Sequence, residues 1–264
     1  MPITKFQKQL LRILRNNRNP DSYVAGGAAI SRHPESLRFS ADIDIFHDAD
    51  LAVITAYEAD RQALIEAGYT VDTHISQPSF FRATVSKGSE QVKLEWVRDT
   101  AFRFFPVIED DDLGYRLHDV DLAINKCLAL ANRSEVRDAL DCLELDRDVL
   151  SLAATVCAAC GKDPGFTPEL MFEMIQRHIN FSPDALAAES LARPIDPKKL
   201  KKDLLALIDR SRDACADVPP ADLGFVFLDK AGQVIKDIKG LDIKKAFHHS
   251  GSVKGSWPRI CSRS

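Results

Sequence analysis

Asp42 and Asp44 stand two residues apart in the run Asp42-Ile43-Asp44-Ile45-Phe46, where charge alternates with apolar side chains. A period of two is that of a strand, so both carboxylates project from one face, their Cα atoms roughly 6.5–7 Å apart, while Ile43 and Ile45 turn into a core. Glu95 repeats the pattern: Val92, Leu94 and Trp96 form an apolar face, and Lys93 and Glu95 share the other. Three carboxylates on one sheet face repel each other unless a cation lies among them. Oxygen-only donors suit Mg2+ (or Mn2+), which keeps waters or substrate phosphates as its remaining ligands. An isolated Asp-X-Asp is more often an incidental feature of a solvated strand, and here the neighbouring residues change that balance.

Gly26 and Gly27 lie upstream at a predicted strand-to-helix turn, where backbone N–H groups can approach a phosphate with no Cβ in the way. Arg38 and Ser40 supply a cation and a hydroxyl just before Asp42. A phosphate cradle, a cation and three metal ligands are the parts that hold a nucleoside triphosphate with its metal. In two-metal phosphoryl transfer, ions about 3.5–4 Å apart stabilise the attacking and leaving oxygens.

These residues need a scaffold. Apolar positions at helical spacing predict helices over 4–15 and 51–67, with a brief one over 28–32. Extended runs predict strands at 22–25, 42–46, 69–75, 80–86 and 91–97, the last two joined by a Lys87-Gly88-Ser89-Glu90 hairpin turn. This order predicts an α+β fold with a small mixed sheet and helices on one side. From Asp119 to about Cys160 the pattern is helical, and it is so again over 167–178 and 196–215, where Thr167-Pro168 and Asp196-Pro197 are helix starts. The division expected is an α/β core over 1–115, a mainly helical domain over 116–247 and a poorly ordered tail over 248–264. Residues 224–229 and 233–237 read as a small hairpin around Lys230-Ala231-Gly232.

Within 264 residues, 45% hydrophobic and 28% charged, the chain is of globular composition, which excludes wholesale disorder. A net charge of −4 excludes a polycation built to coat nucleic acid, so any such contact must be local. No apolar run reaches the roughly 20 residues of a membrane span, and the N-terminus carries no signal-peptide pattern. The reading is a soluble cytoplasmic protein with no membrane partner and reduced thiols among its six cysteines.

The ordered set Val24–Ile30, Arg38–Phe46 with Asp42 and Asp44, Lys93-Leu94-Glu95, and a later stretch from Asp121 through Lys126, Arg133, Asp138 and Asp141 resembles the nucleotidyltransferase superfamily with a DNA polymerase β-like core. Within it, the pattern is similar to the AbiEii/AbiGii-type abortive-infection toxins. The resemblance spans residues 24 to about 145. It implies transfer of a nucleoside monophosphate from an NTP, with Asp42, Asp44 and Glu95 as metal ligands. It further implies that Lys126 touches the triphosphate and that the site lies between the two domains. Gly26, Gly27, Arg38, Ser40 and Arg133 complete the expected nucleotide contacts. The loop has no hydroxyl directly after its first glycine, so backbone N–H groups, Ser31 or Ser40 take that part. An RNA acceptor, with tRNA as the candidate, is the partner the resemblance implies, with a cognate antitoxin protein as a second. The rivals are a small-molecule acceptor and a non-catalytic nucleotide- or partner-binding protein.

If one helix ran on past Lys126, Arg133 and Arg137 would continue its stripe as a cationic ridge. By spacing alone, a solvated face on which Lys126 snorkels and the arginines pair with Glu135 or Asp141 is the better reading, and the resemblance reverses this for Lys126. Cys157 and Cys160 have redox or half-zinc spacing without further paired ligands, and read as buried small residues. The cluster Lys198–Lys202 reads as a solvated helix face.

Overall fold

The structure, a computed structural model, describes residues 3–32 and 35–259. It divides into two units: Met1–Ala101 with Pro106–His118, and Phe102–Phe105 with Asp119–Ser264.

The first unit is a seven-stranded mixed sheet with two long helices and one short one. In chain order its elements are α1 (Lys5–Leu14), β1 (Ser22–Ala25), α2 (Gly26–Ile30), β2 (Asp42–His47), α3 (Asp50–Glu66), β3 (Thr70–Gln77), β4 (Phe80–Lys87) and β5 (Glu90–Arg98). After β6 (Phe102–Arg103), which belongs to the second unit, β7 (Ile108–Asp110) and β8 (Gly114–Arg116) complete the sheet. The strand order is β3-β4-β5-β2-β1-β8-β7. β2 runs parallel to β5 and antiparallel to β1, and β1 is parallel to β8. The turn from β4 to β5 pairs Lys87 with Glu90, as expected for a tight hairpin, and Gly88 takes the φ of +64° that such a turn favours.

Alternation along β2 and β5 sorts their side chains. Ile43, Ile45, Leu94 and Trp96 are fully buried, and Trp96 meets Tyr57 of α3 edge-on at 5.2 Å between ring centroids. Truncating one such side chain to alanine costs about 2–5 kcal/mol. The indole of Trp96 donates to Asp60 at 2.7 Å, and Asp60 also holds Arg18 at 2.6 Å and Asn17 at 2.9 Å. One buried carboxylate thus fastens α3, β5 and the segment after α1. The acidic residues of β2 and β5 are left on the opposite face.

The second unit contains α4 (Asp119–Asn132), α5 (Val136–Asp148), α6 (Leu152–Lys162), α7 (Pro168–His178), α8 (Pro183–Ala187) and α9 (Pro197–Ala216). α4 packs on α5, α6 and α7, and α9 packs on α6 and α7. Thr167 and Asp196 cap α7 and α9, each with proline in the first turn. The strands β9 (Phe225–Leu228), β10 (Phe247–Ser250) and β11 (Ser252–Val253) follow.

Several expectations are corrected here. The helix carrying Lys126 does not run on: α4 ends at Asn132, Arg133 lies in the following turn, and Arg137 belongs to α5. The small turn expected around 230–232 is present, with an antiparallel bridge from Leu228 to Val234 and backbone bonds from Asp229 to Gln233 and from Ile235 to Phe227, but the longer partner of Phe225–Leu228 is Phe247–Ser250. His248–Val253, expected in a poorly ordered tail, therefore supplies two strands, with His249 buried and its Nε2 2.9 Å from the Phe104 carbonyl. Residues 260–264 of that tail lie outside the described residues.

Candidate active site

The parallel register of β2 and β5 sets Asp42 beside Lys93 and Asp44 beside Glu95. Because the four alternate with buried apolar residues, they share one face of the sheet. Arg82, in register with Glu95 on β4, reaches the Glu95 carboxylate at 2.8 Å. The Lys93 ammonium lies 3.1 Å from Asp42 Oδ2 and 3.0 Å from Glu95 Oε1. Burial works against its charge, and the hydrogen bonds to Glu95 and Asp42 more than offset this, so Lys93 is held above the usual lysine range.

The glycine pair abuts the same face. Gly26 has a φ of +62°, in the left-handed region, and a Cβ there would run into the Asp44 carboxylate. A Cβ on Gly27 would lie 2.8 Å from both an Arg38 guanidinium nitrogen and the Ser40 hydroxyl. Ser40 donates to the Asp42 carbonyl at 2.8 Å, and Gln7 of α1 donates to the Ser40 carbonyl at 2.8 Å. Gln7 also closes a capping box with Thr4, so the start of α1 fixes the loop that delivers Asp42. Gly26, Gly27, Arg38, Ser40, Asp42, Asp44 and Glu95 are thus brought together within the first unit.

Arg38 and Ser31 sit differently from the sequence expectation. Arg38 is buried, with its guanidinium against Gly27 and donating to the Phe39 carbonyl at 3.2 Å. The Ser31 hydroxyl is buried without a hydrogen-bond partner among the described residues, whereas the Ser40 hydroxyl is one that a Cβ on Gly27 would meet.

Lys126 and Arg133 belong to the second unit, where both meet buried acids. Lys126 donates to Asp138 at 2.8 Å and lies 3.0 Å from Asp141, both acids fully buried, and Arg133 reaches Asp138 at 2.7 Å. Burial pushes the Asp138 carboxyl upward, and Lys126 and Arg133 outweigh that effect, holding it below the ordinary range. Lys126 is itself 8% exposed, so it is an ion-paired interior lysine, not one that snorkels from a solvated face. Arg137 approaches Glu135 at 3.9 Å.

Among the described residues, no three of His, Cys, Asp and Glu gather as a ready-made metal cage. The β2 acids nonetheless fit Mg2+ chemically: two hard carboxylates on one face, beside a loop that a Cβ would fill. Mg2+ is commonly held by one or two carboxylates together with substrate phosphates.

No protein-family model matches the chain, and no curated protein matches it in sequence. Solved structures do. A proposed nucleotidyltransferase from Helicobacter pylori superposes with a TM-score of 0.52 at 17% identity, over 81% of this chain and 96% of that one. JHP933 from the same organism gives 0.51 at 18% identity over 80% and 91% of the two chains. MenT4, a nucleotidyltransferase toxin from Mycobacterium tuberculosis, gives 0.50 at 14% identity over 82% and 83%. The chain has the nucleotidyltransferase fold.

Within this fold, Lys93, Arg82 and Gln7 are the site residues that sequence reasoning left without a role. Lys93 carried a usable signal, since it shares the two-residue period of Glu95 and the acids require a cation. Arg82 and Gln7 carried none, because their roles depend on which strands and loops become neighbours. Cys157 lies 3.5 Å from Cys215 between sulfur atoms, while Cys160 donates to the Val156 carbonyl within its own helix, so the Cys-X-X-Cys spacing does not bring its two thiols together.

Proposed function

We propose that this protein transfers a nucleoside monophosphate from an NTP to an acceptor, with Mg2+ or Mn2+ held on Asp42 and Asp44 and with Glu95 as the third acid of the site. The observation that carries the reading is the fit between the glycine pair and the acidic strand: Gly26 leaves room for the Asp44 carboxylate, and Gly27 for Arg38 and Ser40. Phosphate-binding backbone and metal-binding acids would then serve one ligand.

When bound, the ion supplies charge neutralisation for the triphosphate and for the leaving pyrophosphate. The chain supplies position. β2 fixes the spacing of the two acids, Ser40 and Gln7 hold the approach to Asp42, and the backbone at Gly26–Gly27 offers N–H donors where a side chain would block the phosphates. The buried Arg38 guanidinium adds positive charge behind that loop. Lys126 and Arg133 belong to the other unit, and a part for them in nucleotide contact rests on the family resemblance alone.

For the acceptor we propose RNA, with tRNA as the first candidate, and for the biological setting a toxin of a toxin-antitoxin or abortive-infection system with a cognate antitoxin protein. The structural likeness to a nucleotidyltransferase toxin supports this direction. The test is incubation with each labelled NTP, Mg2+ and total RNA. Label in a discrete RNA band, lost in Asp44→Asn, supports the proposal. Label on a small molecule instead would replace RNA as acceptor. NTP binding with no transfer to any acceptor would leave a non-catalytic binder, the reading supported by the absence of a hydroxyl directly after Gly26.

A further inference from the structure

The Lys93 ammonium occupies the gap between Asp42 and Glu95, donating to one oxygen of each. A divalent ion held by either acid must share that carboxylate with the ammonium or displace it. We propose that Lys93 is an internal counter-cation of the acidic face, which competes with a divalent ion and thereby sets how weakly the free ion binds before an NTP arrives. The inference rests on the metal-dependent reading above and deepens it.

Three features support exchange rather than a permanent bridge. The Lys93 side chain is 39% exposed and rides on a flexible four-carbon stem, so it can leave the acids for solvent without unpacking the core. The sheet register holds it at this place whatever its rotamer, because β2 and β5 set it beside Asp42 and the period of two sets it beside Glu95. Arg82 remains on Glu95 when Lys93 swings away, so that acid is not left without a cation. A bare divalent ion must displace an ammonium already paired with two carboxylates. An ion arriving with a triphosphate brings anionic oxygens to which the released ammonium can pair, which offsets the loss. Lys93 is therefore a positioning residue that favours the metal–NTP complex over the free metal.

The experiment is a Mn2+ titration of the full chain without nucleotide, following free Mn2+ by electron paramagnetic resonance. Lys93→Met should bind Mn2+ about tenfold more tightly than wild type, the effect of one unit charge at a half-exposed site. Lys93→Gln keeps a hydrogen-bond donor and should tighten binding equally, because charge is what competes. Lys93→Arg should stay near wild type. Adding a non-hydrolysable NTP should narrow the difference between Lys93→Met and wild type. Equal or weaker Mn2+ binding in folded Lys93→Met and Lys93→Gln, with binding lost in Asp44→Asn, would overturn the role of Lys93 while leaving the metal site standing. No Mn2+ binding by wild type, with or without the NTP analogue, would overturn the metal-dependent reading and this inference with it.

Discussion

Lys93 stands opposite Asp42 on the adjoining parallel strand, yet shares its ammonium with Glu95, which lies two residues along its own strand. Cross-strand register and along-strand period thus converge on one cation, and the acids of the site are not interchangeable. Asp42 and Glu95 contact Lys93, whereas Asp44 faces the glycine loop.

Asp42→Asn and Asp44→Asn should each reduce nucleotidyl transfer by at least about a hundredfold, the scale of losing one preorganised charge at a reacting phosphate. Their melting temperatures should stay near wild type, since each change also lowers repulsion among the acids. Transfer assays at saturating Mg2+ check this, and wild-type rates in either variant would remove the acid pair from the mechanism.

Gly26→Ala should be costlier than Gly27→Ala. At Gly26 the new methyl meets the Asp44 carboxylate, and the left-handed backbone adds about 1–2 kcal/mol. At Gly27 it meets the ends of Arg38 and Ser40, which can give way. Chemical denaturation should rank the two variants in that order, and NTP binding should weaken in both.

Lys126→Ala should destabilise the helical unit by about 3 kcal/mol or more, because it takes the shared ammonium away from two fully buried carboxylates, Asp138 and Asp141. Neither the snorkelling lysine expected from spacing nor the triphosphate contact implied by the resemblance would by itself carry that cost. Adding Asp138→Asn to the variant should recover part of the loss. NTP affinity measured in that double variant, at a temperature where it is folded, then reports on nucleotide contact separately from stability.

Acidification should act in opposite directions on the two units. Burial, and then the Arg18 charge, holds His47 at about 4. The unfolded chain therefore takes up this proton first, and stability present above pH 6.5 is lost as pH falls toward 4. Burial pushes Asp121 up to about 6 against the pull of two backbone N–H donors, from Phe104 and Phe105. The folded chain takes up that proton first, and the stability present below the ordinary value of 3.8 is lost as pH rises through about 6. Each effect is on the order of 3 kcal/mol at full titration. Hydrogen exchange at pH 7 and pH 5, corrected for intrinsic rates, should show protection falling in β1 and β2 and rising in α4. Asp121→Asn should abolish the rise alone.

What could be read in the sequence was whatever depends on short spacing. The two-residue period of Asp42–Phe46 and Val92–Trp96 predicts both strands and the face their acids share, and the proline-led caps of α7 and α9 mark those starts. Nothing in either strand says that β2 pairs with β5 across more than forty intervening residues, yet that pairing brings Lys93 to Asp42. β8 is three residues long and too short for any period to show. The turn at Arg133 carries neither glycine nor proline, so the break between α4 and α5 left no local mark. His248–Val253 looked like a tail because its composition is polar, and its strands exist through partners in β9 and β6.

The assignment of Phe102–Phe105 to the helical unit, with its flanks in the sheet unit, means that the backbone crosses from one unit to the other three times. Neither unit is a contiguous segment, so no single cleavage releases one whole. A fragment ending near residue 115 would take with it β6, which pairs with β11, and the two amides that hold Asp121. The remaining fragment would keep a buried carboxyl stripped of both donors. Separate expression of the two halves should therefore yield a helical piece that is soluble only when supplied with the missing tetrapeptide, which makes the chain a natural candidate for split-protein complementation.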